Sequence, residues 1–291
     1  MTSPPDERVV LAVDVGGSHV KAIVPGVDEP RRFDSGPALR PQEMVDGVLR
    51  ITDDWTWNAV SLGIPTPVRG GRAIADPVNL GNGWVGFDFE RAFGAPTKVV
   101  NDAVMQAIGS YDGGRLLFLG LGTGLGSALI VDGVVEPLEL GHLPFRKRTF
   151  EDYVSTRALE KRGKQKWHKA VFEVVERLTA AMEPDYVVLG GGGVDDLDEL
   201  PPHVRRGDNT LAFKGAFRLW EEEWLPRAPV GDRLAGRPGE SSLLPPDPGV
   251  PAAPERQRVP GHDHDGERQY DRDGRGGEPE QHVADQEDRE E

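Results

Sequence analysis

The sequence predicts an α/β fold, because apolar, β-branched runs that end in glycine-rich turns alternate with segments of helical periodicity. Two runs, residues 9–15 and residues 115–121, each lead through such a turn into a second strand-like run. A third run, residues 185–189, ends in four consecutive glycines. The repeated strand–turn–strand unit predicts two related hairpins at separate places in the chain.

The first hairpin places a glycine-rich turn beside an acidic side chain. Gly16, Gly17 and Ser18 connect the first run to residues 20–24, and Asp14 lies where the first strand ends. Glycine permits positive φ and lets backbone amides approach a ligand closely. The pattern is therefore typical of a phosphate-binding hairpin.

The second hairpin turns through residues 122–126 into residues 127–131, and the chain turns again at Asp132 and Gly133. Helical periodicity predicts helices over residues 41–51, 101–109 and 150–182, the last interrupted near Gly163. A last helix is expected within residues 211–220, crossing back to the first half of the fold.

Two other glycine-rich folds do not fit. The chain lacks the G-x-x-x-x-G-K-[ST] signature of a P-loop. A dinucleotide-binding turn lies between a strand and a helix, whereas both turns here precede strand-like runs. Each turn taken alone is still more often a simple tight turn than a ligand site.

Composition limits the remaining function classes. The formal net charge of −15 argues against a nucleic-acid partner, and the chain has no cysteine, which excludes thiolate metal sites. Residues 1–8 are polar, and no window reaches the ~20 apolar residues of a membrane helix, so we expect a cytoplasmic protein without a membrane partner. Residues 225–291 are rich in Pro, Gly, Asp and Arg, and we expect a disordered tail. Whether that tail is a native segment or a frameshift product stays open.

The order and spacing of several motifs resemble the ROK family of repressors and sugar kinases, within the actin/hexokinase superfamily. The motifs are Asp14 to Lys21, Gly63 to Val68, Asn79-Leu80-Gly81 with Trp84, Asn101-Asp102-Ala103, Gly122 to Gly126, Glu139 to His142, and Gly190 to Gly193. The resemblance covers roughly residues 9–220 and is strongest to the polyphosphate/ATP glucokinase branch. It implies two ribonuclease-H-like (actin/hexokinase-type) domains around a cleft, which we place at residues 1–100 and 101–224.

The resemblance also implies a role for each motif in transfer of a phosphoryl group from ATP or polyphosphate to a sugar, with glucose the expected acceptor. It makes Asp102 the catalytic base, although Asp at this place is otherwise typical of a helix N-cap. It assigns sugar binding to Asn79, Asn101, Glu139 and His142. It assigns phosphate binding to Asp14, Gly16, Gly17, Ser18, Lys21, Gly122, Thr123, Gly124 and Gly126, and nucleotide binding to Gly190, Gly191 and Gly192.

The resemblance also bears on which metal ions the chain binds. We expect Mg²⁺ to bind at Asp14 through water, because that ion keeps much of its hydration. Many ROK kinases join a histidine at the position of His142 to three cysteines around a structural zinc. Without cysteine, we expect no zinc site in this chain.

Several alternatives stay open. The cationic run 161–169 could follow a polyanionic donor or could be a solvated helix face. The acceptor could be another hexose such as an N-acetylated amino sugar, and a homodimer remains open. A non-catalytic sugar sensor is the rival from another class, whereas a ROK repressor needs a helix-turn-helix domain for which the eight residues before Val9 leave no room.

Overall fold

The computed structural model describes residues 8–208, 210–221 and 224, and the expected tail at 225–291 lies outside them. The strands are β1 Val10–Val15, β2 His19–Ile23, β3 Arg31–Asp34, β4 Ala59–Ile64, β5 Val68–Arg69, β6 Arg72–Ala73, β7 Thr97–Asn101, β8 Arg115–Leu121, β9 Leu125–Val131, β10 Val134–Leu138, β11 Pro144–Phe145, β12 Arg148–Thr149, β13 Tyr186–Gly190 and β14 Val204–Arg206. The helices are α1 Pro41–Ile51, α2 Phe89–Phe93, α3 Asp102–Ser110, α4 Glu151–Val154, α5 Thr156–Arg162, α6 Lys164–Met182 and α7 Leu211–Arg218, with 3₁₀ turns at Leu140–His142 and Gly192–Asp196. The predicted α/β class is confirmed.

Two five-stranded sheets share one layout. The first has the order β3-β2-β1-β4-β7 and the second the order β10-β9-β8-β13-β14. In each, a β-hairpin supplies the antiparallel pair, β1 with β2 and β8 with β9. Parallel strands then extend the sheet from β1 through β4 to β7, and from β8 through β13 to β14. Both predicted hairpins are therefore confirmed.

Each sheet has its own apolar core. The first core packs Met44 of α1 and Trp84 against the buried faces of β1 and β4. The second packs Trp167 of α6 against β8 and β13, whose strands are apolar on nearly every residue. Strands buried on both faces read as continuous apolar runs, which is why the sequence located them.

The helical segment predicted at 150–182 is three helices. The predicted break at Gly163 is confirmed, and this glycine has φ 77° between α5 and α6. A second break at Ser155 was not predicted. Ser155 caps α5 through its side chain, which accepts from Ala158 N, while Thr156 N donates to Gly122 O at 2.8 Å. That last bond ties α5 to the glycine turn of the second hairpin.

The last helix crosses back to the first sheet, as predicted. Ala212, Phe213 and Ala216 of α7 pack with Ala12 of β1 and Met105 of α3. Two hydrogen bonds hold the contact through one buried hydroxyl: Ser61 Oγ of β4 donates to Ala216 O at 2.7 Å, and Trp220 Nε1 donates to Ser61 Oγ at 2.8 Å.

Helices α3 and α7 cross with their backbones in contact. A Cβ added at Gly109 of α3 would overlap the carbonyl oxygen of Leu211, and one added at Gly215 of α7 would overlap the carbonyl oxygen of Met105. Helix axes normally lie about 8–10 Å apart because side chains separate them. This crossing therefore depends on glycine at both positions.

Within the described part of the chain, no helix is both long and apolar enough to cross a membrane.

We expect Gly109→Ala and Gly215→Ala each to destabilise the protein. Alanine normally favours a helix over glycine by about 1 kcal/mol, but the added methyl group must push two backbones apart, at a cost of about 1–3 kcal/mol or more. Urea unfolding followed by circular dichroism measures the net change. Gly192→Ala is the matched control, because an added Cβ there meets no atom within 4 Å. Equal stabilities for all four proteins would contradict the crossing.

Candidate active site

The carboxyl ends of β1, β4 and β7 bring Asp14 and Asp102 to one edge of the first sheet. Asp14 pairs in register with Gly63 of β4, and Gly63 pairs with Val100 of β7. Two strand spacings separate Asp14 from Val100, about 10 Å, and Asp102 follows two residues later. Gly63 makes room for a side chain of α3, since a Cβ there would overlap the methyl group of Met105 and would lie 3.6 Å from Asp102 Cα.

Asp102 is the first residue of α3, and its carboxyl group has a perturbed pKa. Burial, together with the neighbouring charges of Asp14 and Glu139, raises this pKa to about 7, against the lowering effect of the Ala103 backbone N–H. That N–H donates to Asp102 Oδ1 at 2.9 Å. A carboxyl group that is half ionised near neutral pH has the pKa suited to a general base.

The N-cap of α3 is Asn101, not Asp102. Asn101 Oδ1 accepts from Ala103 N at 2.9 Å and from Val104 N at 3.3 Å, and Asn101 Nδ2 donates to Thr66 O at 3.2 Å. These bonds fix the orientation of the amide and leave one N–H of Nδ2 for a ligand. The capping role that Asp102 would otherwise have is thus filled by its neighbour.

Glu139 precedes the 3₁₀ turn Leu140–His142, and His142 is the last residue of that turn. Burial raises the pKa of Glu139, while His142 lowers it and the charge of Glu151 raises it. The influence of Glu139 on the pKa of Asp102 places the two carboxylates in one electrostatic environment. His142 is exposed, with Nε2 3.9 Å from Glu151 Oε1.

Glu151, the first residue of α4, is a member of this cluster that the sequence analysis missed. A Cβ added at Gly124 would lie 2.8 Å from Glu151 Oε2, and one added at Gly141 would lie 3.3 Å from the same atom. Its carboxylate therefore stands between the turn of the second hairpin and the Glu139–His142 segment. The available signal was an acidic residue between the apolar Phe150 and Tyr153 at a helix start.

The turns of the two hairpins approach each other. A Cβ added at Gly17 would lie 3.7 Å from Thr123 Oγ1 and 3.7 Å from Asn79 Cβ, which brings three predicted site residues together. Internal bonds shape both turns: Gly16 N donates to His19 O at 2.9 Å, and Gly122 N donates to Gly124 O at 3.1 Å. Ser18 and Thr123 are exposed on these turns.

Asp14 faces a lysine across the first hairpin. Its register partner on β2 is Lys21. Burial raises the pKa of Asp14, and the positive charge of Lys21 offsets part of that effect. His19, which follows the turn, points to β3 instead, where its Nε2 lies 3.6 Å from Asp34 Oδ1.

The glycine loop after β13 lies beside the second hairpin. Gly190 pairs with Gly120 of β8, which in turn pairs with Gly126 of β9. Gly191 has φ 79° and lies against the carbonyl oxygen of Leu121, so no larger residue fits there. Gly192 begins a 3₁₀ turn and is exposed. The loop is thus at the same edge of the second sheet as the glycine turn of the second hairpin, residues 122–126.

The cationic run 161–169 is divided by the fold. Arg162 lies over the ring of Tyr153 at 4.0 Å, Lys164 Nζ binds Asp198 Oδ1 at 2.7 Å, and His168 stacks on Phe172 at 4.7 Å. All four lysines of the run are exposed, and Lys161, Lys166 and Lys169 are those other than the ion-paired Lys164.

The fit of Mg²⁺ depends on Asp14. Within residues 8–208, 210–221 and 224, no three His, Asp or Glu side chains are grouped closely enough to bind a metal ion directly. A cation at Asp14 must therefore take its other ligands from water and from a bound donor, which suits the chemistry of Mg²⁺. Burial raises the pKa of Asp14 and Lys21 offsets only part of that effect, so a bound cation would favour its ionised form.

Comparison with known proteins supports the expected resemblance. No protein-family model matches the chain. The polyphosphate glucokinase of Mycobacterium tuberculosis (strain H37Rv) is 26% identical over 218 aligned positions, and the match covers 67% of this chain and 82% of that protein. The polyphosphate glucokinase of Mycobacterium leprae is 26% identical over 66% of this chain and 68% of its own length.

Solved structures show the same fold. The inorganic polyphosphate/ATP-glucomannokinase of Arthrobacter sp. strain KM has a TM-score of 0.63 at 22% identity, covering 72% of this chain and 96% of that one. A ROK family glucokinase of Streptomyces griseus, solved with glucose and AMPPNP, has a TM-score of 0.59 at 18% identity, covering 72% and 98%. The resemblance to ROK kinases and their polyphosphate/ATP glucokinase branch is confirmed.

We expect Asp102→Asn to stabilise the protein above neutral pH. Because the folded-state pKa is raised from 3.8 to about 7, the native state holds this proton more tightly than the unfolded chain, and ionisation lowers stability as pH rises through that window. Asn keeps the shape and the acceptor for Ala103 N without the charge. The variant should be more stable than wild type at pH 8 by about 2–4 kcal/mol, with the difference vanishing near pH 4. Urea titrations at both pH values measure it, and a difference independent of pH would contradict the burial of this carboxylate.

Proposed function

We propose that this chain, which shares motifs and fold with the ROK sugar kinases, is a hexokinase or glucokinase that transfers a phosphoryl group from polyphosphate or ATP to a hydroxyl group of glucose. The observation that carries the proposal is Asp102. Its carboxyl group has a pKa of about 7 and lies at the strand edge where the two glycine turns meet. The reaction would take place in the cytoplasm.

Asp102 acts as the general base. Its ionised carboxylate accepts the proton of the sugar hydroxyl, whose oxygen forms a bond to phosphorus while the bond from phosphorus to the donor's bridging oxygen breaks. Little other covalent chemistry is required of the protein, because alignment and charge neutralisation lower most of the barrier to phosphoryl transfer. The remaining side chains hold the two substrates in line.

The sugar binds among the carboxylates on the other side of Asp102. Glu139, Glu151 and His142 provide acceptors and a donor for ring hydroxyls, and the second N–H of Asn101 adds a donor. Asn79 lies beside Gly17, where the two glycine turns approach each other, and would contact the sugar from the first half of the fold. A hydroxyl left without a partner in a closed site costs about 1–3 kcal/mol, so such a set discriminates among hexoses.

The donor binds along the two glycine turns. The amides of Gly17, Ser18, Thr123 and Gly124 would face its phosphates, and Lys21 would add positive charge. Gly16 N and Gly122 N are bonded to His19 O and Gly124 O, so these glycines, with Gly126 in the β8–β9 ladder, would shape the two turns around the phosphates. Mg²⁺, bound at Asp14 through water, would supply further neutralisation of the phosphates. Gly190, Gly191 and Gly192 would lie along the nucleotide when ATP is the donor.

Polyphosphate is the donor we favour. Two relatives are named for it, and the first residue of α5 is joined to the glycine turn of the second hairpin by the bond from Thr156 N to Gly122 O, while α5 and α6 carry the exposed lysines Lys161, Lys166 and Lys169. A chain of phosphates extends beyond the turn, whereas ATP ends in a nucleoside. Positive side chains along its path would therefore favour the longer donor.

Asp102→Asn should abolish turnover while sugar binding persists. Asn can still accept from Ala103 N and hydrogen-bond a sugar hydroxyl, but it cannot accept a proton. General-base contributions are about 10²–10⁴-fold, so kcat should fall at least about 100-fold with a much smaller change in the sugar dissociation constant. In the wild type, kcat/KM should rise with pH up to about 7 and then level off, because the ionised carboxylate is the active form. Steady-state kinetics and calorimetric sugar titration measure these effects.

Asp88→Asn is the matched control. Asp88 caps α2 by accepting from Arg91 N at 3.0 Å, so this change removes an N-cap carboxylate away from the site. We expect near-normal turnover. Near-normal turnover of Asp102→Asn as well would end the case for Asp102 as the base, and a wild-type protein that transfers phosphate to no sugar would favour the sugar-sensor alternative.

The joint change Lys166→Glu with Lys169→Glu tests the donor. Reversing two exposed charges should raise the KM for long-chain polyphosphate about tenfold or more and the KM for ATP less than about twofold, with the difference reduced by added salt. Lys214→Glu, exposed on α7, is the control and should change neither value. Equal effects on the two donors, or a wild type inactive with polyphosphate, would contradict this donor assignment.

A further inference from the structure

A short hairpin connects the two parts of the proposed sugar site. Its strands β11 and β12 have two residues each, and Phe150 N donates to Leu143 O at 3.1 Å to close its base. Glu139 and His142 precede it, and Glu151 follows it. A ladder this short has little stability of its own. The spacing between Glu139 and Glu151 therefore depends on what holds the hairpin.

An aromatic cluster anchors the hairpin to the second core. Phe145 is buried, with its ring centroid 5.1 Å from that of Phe150 and 5.1 Å from that of Tyr153, the latter edge to face. Edge-to-face and offset ring pairs at these separations are favourable beyond the area that they bury. Phe145 thus fixes one strand of the hairpin against the first turn of α4.

Two arginines and one carboxylate close over this cluster. Arg146 Nη2 donates to Glu173 Oε2 at 2.6 Å, and Arg177 Nη2 donates to Glu173 Oε1 at 2.8 Å. Both guanidinium groups lie over the ring of Phe145, at 4.9 Å for Arg146 and 5.2 Å for Arg177. Glu173 belongs to α6, so the hairpin tip is bonded to the longest helix of the second half. We call Arg146, Glu173 and Arg177 the clamp.

The backbone of Arg146 has a conformation that is unfavourable for arginine. This residue has φ 54°, in the left-handed region that suits glycine, asparagine or aspartate in a two-residue hairpin turn. The turn between β9 and β10 has such residues, Asp132 with φ 49° and Gly133 with φ 77°. Arginine is unfavourable in this conformation, so the contacts of its guanidinium group offset a local cost.

We propose that Arg146 and Glu173 are positioning residues, which hold the hairpin and so set the spacing of Glu139 and Glu151 around the sugar. The proposal rests on the proposed sugar-kinase function. The clamp acts through the hairpin rather than by touching the substrate. Without the clamp, Glu139 and Glu151 should be less ordered before the sugar binds. Binding must then order them, and the entropy lost in doing so should weaken sugar affinity. The donor turns, held by their own backbone bonds, should be affected much less.

The kinetic experiment compares Arg146→Gly and Glu173→Gln with wild type. Glycine removes the guanidinium group and at the same time suits the left-handed turn, so a loss of function cannot be attributed to turn strain. Glutamine keeps the shape of Glu173 without the charge shared by two arginines. We expect the sugar KM and the calorimetric sugar dissociation constant to rise about 5–30-fold, with donor KM and kcat within about threefold. Arg146→Lys, which retains the charge but not the planar stacking, should be intermediate.

Hydrogen exchange of the peptide covering residues 143–150 tests the clamp without catalysis. Exchange should be at least about fivefold faster in Arg146→Gly and Glu173→Gln than in wild type. Glu176→Gln, on the exposed face of the same helix, is the control and should match wild type in exchange and kinetics. Unchanged exchange in both variants would overturn the clamp whatever their activity, and faster exchange with unchanged sugar affinity would overturn its positioning role. A wild type that binds no sugar would instead overturn the proposed function, while the exchange rates would still decide whether the clamp holds the hairpin.

Discussion

The contact between α3 and α7 is the constraint on which the position of the proposed base depends. Asp102 is the first residue of α3, and the glycine crossing lies near the other end of that helix, where α7 is fastened to β4 through Ser61. A helix of nine residues is stiff, so fixing one end and the N-cap at Asn101 fixes the direction of the carboxylate. The second sheet joins the arrangement through Gly126, where an added Cβ would lie 2.9 Å from the side chain of Ala103. The base is thus located by packing from three sides.

The buried carboxylates of the site destabilise the fold that this packing stabilises. Burial raises the pKa values of Asp14, Asp102 and Glu139, and the pKa of Asp102 is further raised by the other two. Each ionised carboxylate therefore lowers the stability of the folded state near neutral pH. A purely structural site would replace such groups with neutral ones, so their presence agrees with a selected function. The positive charge of Lys21 offsets part of the rise in the pKa of Asp14, and a cation bound together with a donor would offset more of it.

Secondary structure is predicted best from the sequence where the pattern within one segment is enough to determine it. The strands β1, β8 and β13 are continuous apolar runs, the turns between paired strands are rich in glycine, and α1 was predicted at its observed bounds. The break at Ser155, the β11–β12 hairpin and the place of Glu151 could not be predicted in the same way. Each depends on a partner distant in sequence, such as Gly122 for Thr156 or Glu173 for Arg146. Likewise, only the hydrogen bonds of Asn101 decide which of two adjacent residues caps α3.

The two sides of the site are held by different kinds of interaction. Backbone hydrogen bonds hold the two glycine turns proposed for the donor, as from Gly16 N to His19 O and from Thr156 N to Gly122 O, and such bonds do not depend on ionisation or salt. Aromatic contacts and ion pairs between half-exposed side chains hold the hairpin of the proposed sugar site, and exposed ion pairs weaken as salt rises. Backbone amides can bind a phosphate whatever the donor carries beyond it, so under the proposed function these turns would suit donors of different length. Discrimination among sugars would then come from side chains, and by our inference the β11–β12 hairpin would set the spacing of Glu139 and Glu151.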